Sequence, residues 1–161
     1  IVSVNLSRGS MNMIINKGVS DGVQFGDVVI DDAGVVGQIS RAGTQTSLLL
    51  LITDKDHATP IQVRRNGLRA VAGGTGSLEY LILENLPLSI DLQVGDIVET
   101  SGLAGRFPYG YTVGKIVDIQ KEQTAVFASV KVAPAAKLSQ SRYLLVLNDR
   151  QQNVESGQEQ L

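Results

Sequence analysis

The stretch Val23-Gln24-Phe25-Gly26-Asp27-Val28-Val29 recurs as Leu92-Gln93-Val94-Gly95-Asp96-Ile97-Val98. The segment that follows each copy also recurs, as Val36-Gly37-Gln38-Ile39 and Val113-Gly114-Lys115-Ile116. In both copies a Gly-Asp pair turns the chain into a short apolar strand, and the glycine of the next strand lets that strand bend as a small sheet curls. The repeat therefore predicts two curled β-sheets of similar design.

Short apolar runs separated by Gly, Asn and Asp extend this β pattern over most of the chain. Tight hairpin turns are predicted at 31–34 and at Asn66-Gly67. The segment from Asp54 to His57 is expected to form one helical turn at most, because Pro60 would stop a longer helix. The runs with the length and composition of strands cover 11–16, 27–30, 35–40, 47–53, 60–64, 68–72, 78–84, 96–99, 112–119, 125–132 and 142–147.

Short strands at this spacing favour small barrels over one large sandwich, because closure removes the sheet edges that would otherwise pair between molecules. We predict an all-β protein with little helix and two small six-stranded β-barrels. The first is expected to comprise residues 1–54 with 140–148, so that its last strand returns from the end of the chain. The second is expected to comprise residues 55–139. Residues 149–161 have almost no apolar content and are predicted to be a disordered tail.

The composition excludes several classes of function. The chain has 161 residues, with 14 Lys and Arg against 16 Asp and Glu and no basic block, so a nucleic-acid partner is not expected. The longest apolar run, 48–52, is far shorter than the roughly 20 residues that cross a bilayer. The first residues lack an initiator Met and a signal-peptide pattern, so any targeting or anchoring segment is expected to have been removed. With no cysteine, one histidine and no phosphate-binding glycine loop, neither a metal nor a cofactor is predicted.

A β protein with one histidine and a Ser-Gly dipeptide also allows a serine-hydrolase hypothesis. Ser101 would be the nucleophile, His57 the base, and Asp54 or Asp56 the carboxylate that orients the ring. The structural alternative is that His57 anchors the connection between the barrels through backbone hydrogen bonds, while Ser101 helps a glycine-rich loop to turn.

The residues from Arg106 to Tyr111 form the clearest candidate for a binding surface. They place Phe107, Tyr109 and Tyr111 beside an arginine, and aromatic side chains with arginine are typical of interface hot spots. Alternatively, Phe107 fills a barrel mouth and the tyrosines cover it. A small basic hairpin, Arg64-Arg65 with Arg69, is interpreted either as a charged sheet edge or as a partner contact.

Five segments of the chain together resemble one known family, and the resemblance extends over about residues 11–148. The longest is Gly95-Asp96-Ile97-Val98-Glu99-Thr100-Ser101-Gly102-Leu103-Ala104-Gly105-Arg106-Phe107-Pro108-Tyr109-Gly110. The order and spacing of the segments are similar to those in the extracytoplasmic core of the bacterial rod shape-determining MreC family. The shorter segments are Lys17-Gly18-Val19 with Gly22-Val23, 34–39, Leu51-Ile52-Thr53-Asp54 with His57, and 60–63.

The resemblance implies a chymotrypsin-like barrel topology without catalysis, and a scaffold of the cell-elongation machinery that serves peptidoglycan synthesis. It implies a location at the periplasmic face of the bacterial inner membrane, with a transmembrane helix and a coiled coil preceding the barrels. It further implies self-association and contacts with MreD, a class B penicillin-binding transpeptidase and RodA, with an indirect link to MreB. The positions that match the family's glycine-rich block are expected to shape the loop or contact a partner; they are Gly102, Gly105, Arg106, Phe107, Pro108, Tyr109 and Gly110.

Overall fold

The computed structural model describes residues 3–6, 11–103, 107–121, 126–138 and 143–147. A short 3-10 helix, Val19–Asp21, lies among the strands. Within these ranges no helix has both the length and the apolar content that a membrane span requires. The described strands are β1 Ser3–Leu6, β2 Met11–Ile15, β3 Val28–Ile30, β4 Val35–Ala42, β5 Ser47–Leu51, β6 Ala58–Val63, β7 Arg69–Gly74, β8 Leu81–Pro87, β9 Ile97–Thr100, β10 Thr112–Gln120, β11 Phe127–Pro134 and β12 Leu145–Leu147.

The strands form two antiparallel sheets of six strands each. The first sheet has the order β1-β2-β5-β4-β3-β12, so strands from both ends of the chain lie at its two edges. The other sheet closes into a barrel with the order β10-β11-β8-β7-β6-β9. The all-β prediction is therefore confirmed, with one closed barrel and a second six-stranded sheet. The predicted tail, 149–161, lies outside the described residues.

The internal repeat of the sequence corresponds to a repeat in the topology. Strands β2-β5-β4-β3 of the first sheet have the same order as β8-β11-β10-β9 of the barrel. In the barrel, β6 and β7 complete the ring by pairing with each other between β9 and β8. In the first sheet the corresponding positions belong to β12, beside β3, and to β1, beside β2.

The two Gly-Asp turns have the same geometry. Gly26 and Gly95 adopt positive φ angles of 89° and 101°, a conformation that glycine tolerates and other residues rarely adopt. In each turn the aspartate carboxylate accepts a hydrogen bond from the N–H of the glutamine three residues earlier, at 2.8 and 2.9 Å. The glycine N–H donates to an isoleucine carbonyl at 2.8 Å in both copies. Each turn is therefore hydrogen-bonded to the second strand after it, β4 in the first sheet and β10 in the barrel.

A glycine inside β4, and its equivalent inside β10, permits a close backbone contact with the neighbouring strand. A Cβ atom on Gly37 would lie 2.1 Å from the carbonyl oxygen of Leu50, and one on Gly114 would lie 2.2 Å from that of Ala133. Real Cβ atoms do not approach oxygen so closely. The strand pairs β4–β5 and β10–β11 therefore require glycine at these two positions.

Asp31 joins the first sheet to the barrel. Its buried carboxylate accepts hydrogen bonds from the N–H groups of Ala33 and Gly34 in its own turn, at 2.8 and 2.9 Å. It also accepts one from the N–H of Lys137, beyond the last barrel strand, at 2.9 Å. A Cβ atom on Gly34 would lie 2.5 Å from the carbonyl oxygen of Thr112, so the predicted 31–34 turn packs directly on the barrel.

Candidate functional site

The candidate surface is the loop of residues 101–111, which connects β9 to β10. Thr100, at the end of β9, is fully buried and holds both ends of the loop. Its backbone N–H donates to the carbonyl of Tyr111 at 2.8 Å, and its hydroxyl accepts from the N–H of Tyr111 at 2.9 Å. The same hydroxyl donates to the carbonyl of Pro108, and the N–H of Gly110 donates to the carbonyl of Thr100 at 3.0 Å. The loop is therefore fixed at its base.

Phe107 and Tyr109 have opposite environments in this loop. Phe107 is 2% exposed, and the edge-to-face distance between its ring centroid and that of His57 is 5.9 Å. Tyr109 is 67% exposed, and Leu103 on the same loop is 41% exposed. Gly102 has a φ of 73° and packs against Tyr109, since a Cβ atom on the glycine would lie 3.2 Å from the tyrosine Cβ. Phe107 thus packs into the protein while Tyr109 faces solvent.

The remaining predicted loop residues divide between the described and undescribed parts of the chain. Pro108 is half-buried and uses its carbonyl as a hydrogen-bond acceptor, and Gly110 has a φ of 91° in the turn that ends the loop. Gly105 and Arg106 lie outside the described residues. Thr100 was not assigned a role from the sequence, although a threonine at the end of a strand is a common source of local side-chain to backbone hydrogen bonds.

His57 lies where the first sheet meets the barrel. Its Nε2 is 3.3 Å from Oε1 of Gln38, on β4 of the first sheet, and its Nδ1 is 3.3 Å from the hydroxyl of Thr59, on β6 of the barrel. The side-chain N–H₂ of Gln38 donates to the carbonyl of Gly26 at 3.0 Å, which fixes the amide orientation. Because Oε1 can only accept, Nε2 of His57 carries a proton. The side-chain contacts of His57 therefore join the first sheet to the barrel. The sequence had led us to expect backbone hydrogen bonds in this role.

The other members of the hypothetical hydrolase triad make local structural contacts. The two carboxylate oxygens of Asp54 accept from the N–H groups of Met11, at 2.6 Å, and Asp56, at 2.8 Å. The hydroxyl of Ser101 accepts from the N–H of Leu103 at 3.3 Å. The segment Asp54 to His57 is a hydrogen-bonded turn, in which Asp54 caps the chain reversal. These geometries hold turns in place and give no support to a nucleophile–base–carboxylate arrangement.

Arg64 and Arg65 form ion pairs within the barrel, so they are not simply a solvated edge. The Nε of Arg65 is 2.9 Å from Oδ1 of Asp96, in the second Gly-Asp turn. The Nε of Arg64 is 2.9 Å from Oε2 of Glu99. The hydrogen bond from Arg65, assisted by the N–H of Gln93, holds the pKa of Asp96 below its ordinary value against the effect of burial. Hydrogen bonds from Gln62 and then from Arg64 lower the pKa of Glu99 in the same way.

These lowered pKa values predict a loss of stability in acid. A carboxylate whose pKa is lower in the folded state stabilises that state fully above its unfolded pKa, about 4, and loses the contribution as the pH falls through the folded pKa. We expect the free energy of unfolding to fall as the pH is lowered from about 5 towards 2. Urea unfolding of the D96N/E99Q double variant should show a weaker fall over this range. The exposed Asp32→Asn variant should follow the wild type, and identical slopes for all three proteins would contradict the prediction.

Comparisons with known proteins agree with this fold. The family model described as "Rod shape-determining protein MreC, barrel core" matches residues 1–148. The cell shape-determining protein MreC of Haemophilus influenzae is 45% identical over 135 residues, which are 84% of this chain. The chain spans 38% of the length of that relative.

This chain is also similar in three-dimensional structure to two solved structures. The crystal structure of MreC from Pseudomonas aeruginosa matches with a TM-score of 0.88 and 38% identity, over 92% of this chain and 96% of that one. A complex between a penicillin-binding protein and MreC from Helicobacter pylori matches with a TM-score of 0.62 and 20% identity, over 85% of this chain and 83% of that one. The second likeness is one of fold alone.

Proposed function

Because the chain belongs to the MreC family of rod shape-determining proteins, we propose that it is a non-enzymatic scaffold of the bacterial cell-elongation machinery. In this role it docks enzymes of peptidoglycan synthesis and biases their conformation through the surface that it presents. A scaffold needs differential contact energy between two states of its partner and no catalytic group of its own. The structural contacts of His57, Ser101 and Asp54 are consistent with that requirement.

We propose that the chain acts at the periplasmic face of the inner membrane, associates with itself, and contacts MreD, RodA and a class B penicillin-binding transpeptidase, with MreB linked indirectly. The MreC of Helicobacter pylori has been seen in complex with a penicillin-binding protein. That complex supports the transpeptidase as the partner to test first.

The main support for the docking role is the exposed surface of the loop of residues 101–111. It presents Tyr109 and Leu103 to solvent while the buried Thr100 and Phe107 hold its base. A surface that is already ordered pays little conformational entropy when a partner binds. Exposed aromatic side chains on ordered surfaces are also the residues that most often dominate binding energy. The described parts of the loop, residues 101–103 and 107–111, therefore have both the fixed base and the composition of a docking surface.

Replacing Tyr109 by alanine is expected to weaken binding to the transpeptidase at least about tenfold, because a central aromatic contact is worth about 1.4 kcal/mol or more. Binding of the purified chain to the periplasmic part of the transpeptidase would be measured by titration calorimetry. Tyr109 is 67% exposed, so the variant should fold with unchanged stability.

The matched control is Phe25→Ala, which removes another aromatic that is 78% exposed, in the turn before β3. It should bind like the wild type. Absence of any binding by the wild type would reject the docking role. Equal losses for Phe25→Ala and Tyr109→Ala would move the docking surface away from the loop of residues 101–111.

A further inference from the structure

The outward face of the first sheet carries a shallow groove beside the turn between β4 and β5. Ile14 and Leu48, which pair directly across β2 and β5, supply its apolar lining, and Ile14 is 37% exposed. The cavity volume of about 250 Å³ is below the roughly 300–1,000 Å³ of typical small-molecule sites, so the groove has room for one or two side chains. Among the described residues that line it, only Arg41 is charged. The remaining lining residues are Gly43, Thr46 and Ser47, and we call this surface the Arg41 groove.

A β-bulge in β4 brings Arg41 to this face. The ladder between β4 and β5 pairs Ile39 with Leu49, but it then pairs Arg41 with Leu48. Ser40 is therefore the extra residue. In a regular ladder Ser40 would lie opposite Leu48, and Arg41 would belong to the other face of the sheet. The bulge thus sets an arginine beside two apolar side chains.

The turn that borders the Arg41 groove is held in place by the segment that follows β2. The N–H of Val19 donates to the carbonyl of Gly43 at 2.7 Å. The buried hydroxyl of Ser47 donates to the carbonyl of Lys17 at 2.7 Å. Because these bonds already fix the backbone around the groove, a partner that binds there would lose little conformational entropy in ordering it.

The equivalent place in the barrel carries two opposite charges. There the same kind of bulge sets Asp118 of β10 opposite Lys131 of β11, which pairs in turn with Ile82 of β8. Opposite charges at directly paired positions attract one another. The corresponding place in the first sheet holds Arg41 and two apolar residues. Within the part of the chain that the structure describes, Arg41 has no hydrogen-bond or ion-pair partner. Its guanidinium therefore lacks the opposite charge that its counterpart in the barrel has.

We propose that the Arg41 groove binds a short segment of a partner protein through an acidic side chain that is flanked by an aliphatic one. The planar guanidinium of arginine matches a carboxylate in shape as well as in charge, since it can donate two parallel hydrogen bonds. The aliphatic neighbour covers Ile14 and Leu48, and the removal of this apolar surface from water adds to the ion pair. This surface is separate from the loop of residues 101–111, so the inference goes beyond the docking role proposed above.

A titration of the nitrogen-labelled 161-residue chain, followed by nuclear magnetic resonance, tests this inference. The probe is a blocked tripeptide with glutamate between two leucines. It should cause saturable shifts of the backbone amide signals of Gly43, Ser47 and Leu48. The same peptide with glutamine in place of glutamate should bind at least about fivefold more weakly, because a hydrogen bond between charged groups contributes more than a neutral one. A peptide with alanine in place of both leucines should also bind more weakly.

Variants of the chain provide the second arm of the test. Arg41→Gln should lower the affinity for the glutamate peptide at least about fivefold, and Arg41→Lys should keep part of it. Arg41 is exposed, so both variants should keep the wild-type amide spectrum away from the groove. The matched control is Lys115→Gln, which removes an exposed cation from β10, the barrel strand equivalent to β4. It should bind the peptide like the wild type.

Four results would overturn the proposal. Equal affinities for the glutamate and glutamine peptides would reject a carboxylate contact at Arg41. The same shifts with sodium acetate at the same concentration would show a simple anion site. Binding to vesicles of anionic lipid that depends on Arg41, with no binding of the peptide, would assign the groove to a membrane surface. Shifts at the groove that depend on the concentration of the chain alone would assign it to a second copy.

Discussion

Replacing Phe107 by alanine is expected to lower the free energy of unfolding by about 3–5 kcal/mol, the range for removing a buried phenylalanine. Phe107 is 2% exposed, and its ring packs edge-to-face against His57 at 5.9 Å. The substitution removes that apolar surface from the interior and leaves a cavity next to the polar contact between the first sheet and the barrel. Equilibrium unfolding in urea, followed by circular dichroism, would measure the loss.

The control for Phe107→Ala is the same substitution at Phe127, which is 49% exposed at the start of β11. That variant should lose about 1 kcal/mol or less, as partly exposed positions do. Phe107→Leu should recover much of the loss because it refills most of the volume. A Phe107→Ala variant no less stable than Phe127→Ala would show that the ring does not anchor the loop of residues 101–111.

Gly37→Ala and Gly114→Ala are each expected to destabilise the chain by about 3 kcal/mol, the upper end of the usual cost of overpacking, because a clash with backbone is poorly relieved. At each position the new Cβ atom would lie within 2.2 Å of a carbonyl oxygen on the neighbouring strand. A carbonyl engaged in strand pairing cannot move without distorting the hydrogen bonds around it. The two substitutions test the repeat, because they act at equivalent places in the first sheet and the barrel.

Thermal and urea unfolding would measure both glycine variants. Arg41→Ala on β4 and Lys115→Ala on β10 serve as controls, because both side chains are exposed on the same strands. They should change the stability by about 0.5 kcal/mol or less. If the glycine variants unfold like these controls, the close contacts at Gly37 and Gly114 do not exist in solution.

The repeat was the part of the fold that could be predicted from the sequence. The repeat is encoded locally in the sequence. At Gly26-Asp27 and Gly95-Asp96 the glycine adopts a positive φ angle, and the aspartate accepts a hydrogen bond from the residue three positions earlier. Similar residues therefore adopt similar turns wherever they occur. Strand β1 was missed because Ser3–Leu6 offers only two apolar residues, and its pairing with β2 supplies the rest of its stability.

Errors at strand ends have a local cause as well. The strand predicted from Leu78 begins at Leu81. The hydroxyl of Thr75 donates to the carbonyl of Tyr80 at 2.8 Å and accepts from the N–H of Ser77 at 3.2 Å, so the chain turns before it can extend. Side chains that compete for backbone partners are not visible in an apolar pattern.

The sequence pointed to the loop of residues 101–111 as a candidate surface, whereas the long-range contacts around it could not be predicted. The burial of Phe107 and the exposure of Tyr109 are the two alternatives that composition left open, and the structure assigns one to each residue. The pairs Arg65–Asp96 and His57–Gln38 join residues that are far apart in the sequence. No local pattern could have identified them, because they depend on how the barrel closes and how it meets the first sheet.

The barrel is built from one uninterrupted stretch, β6 to β11, whereas the first sheet takes β1 to β5 from before it and β12 from after it. As a ribosome releases the chain, the barrel strands all emerge before β12, which must then find β3 across most of the polypeptide. Closing so long a loop is entropically costly and slow. The first sheet is therefore expected to be completed after the barrel. Truncation before Leu145 would leave the barrel complete, while β3 would lose the strand that pairs with it and become an edge of the first sheet.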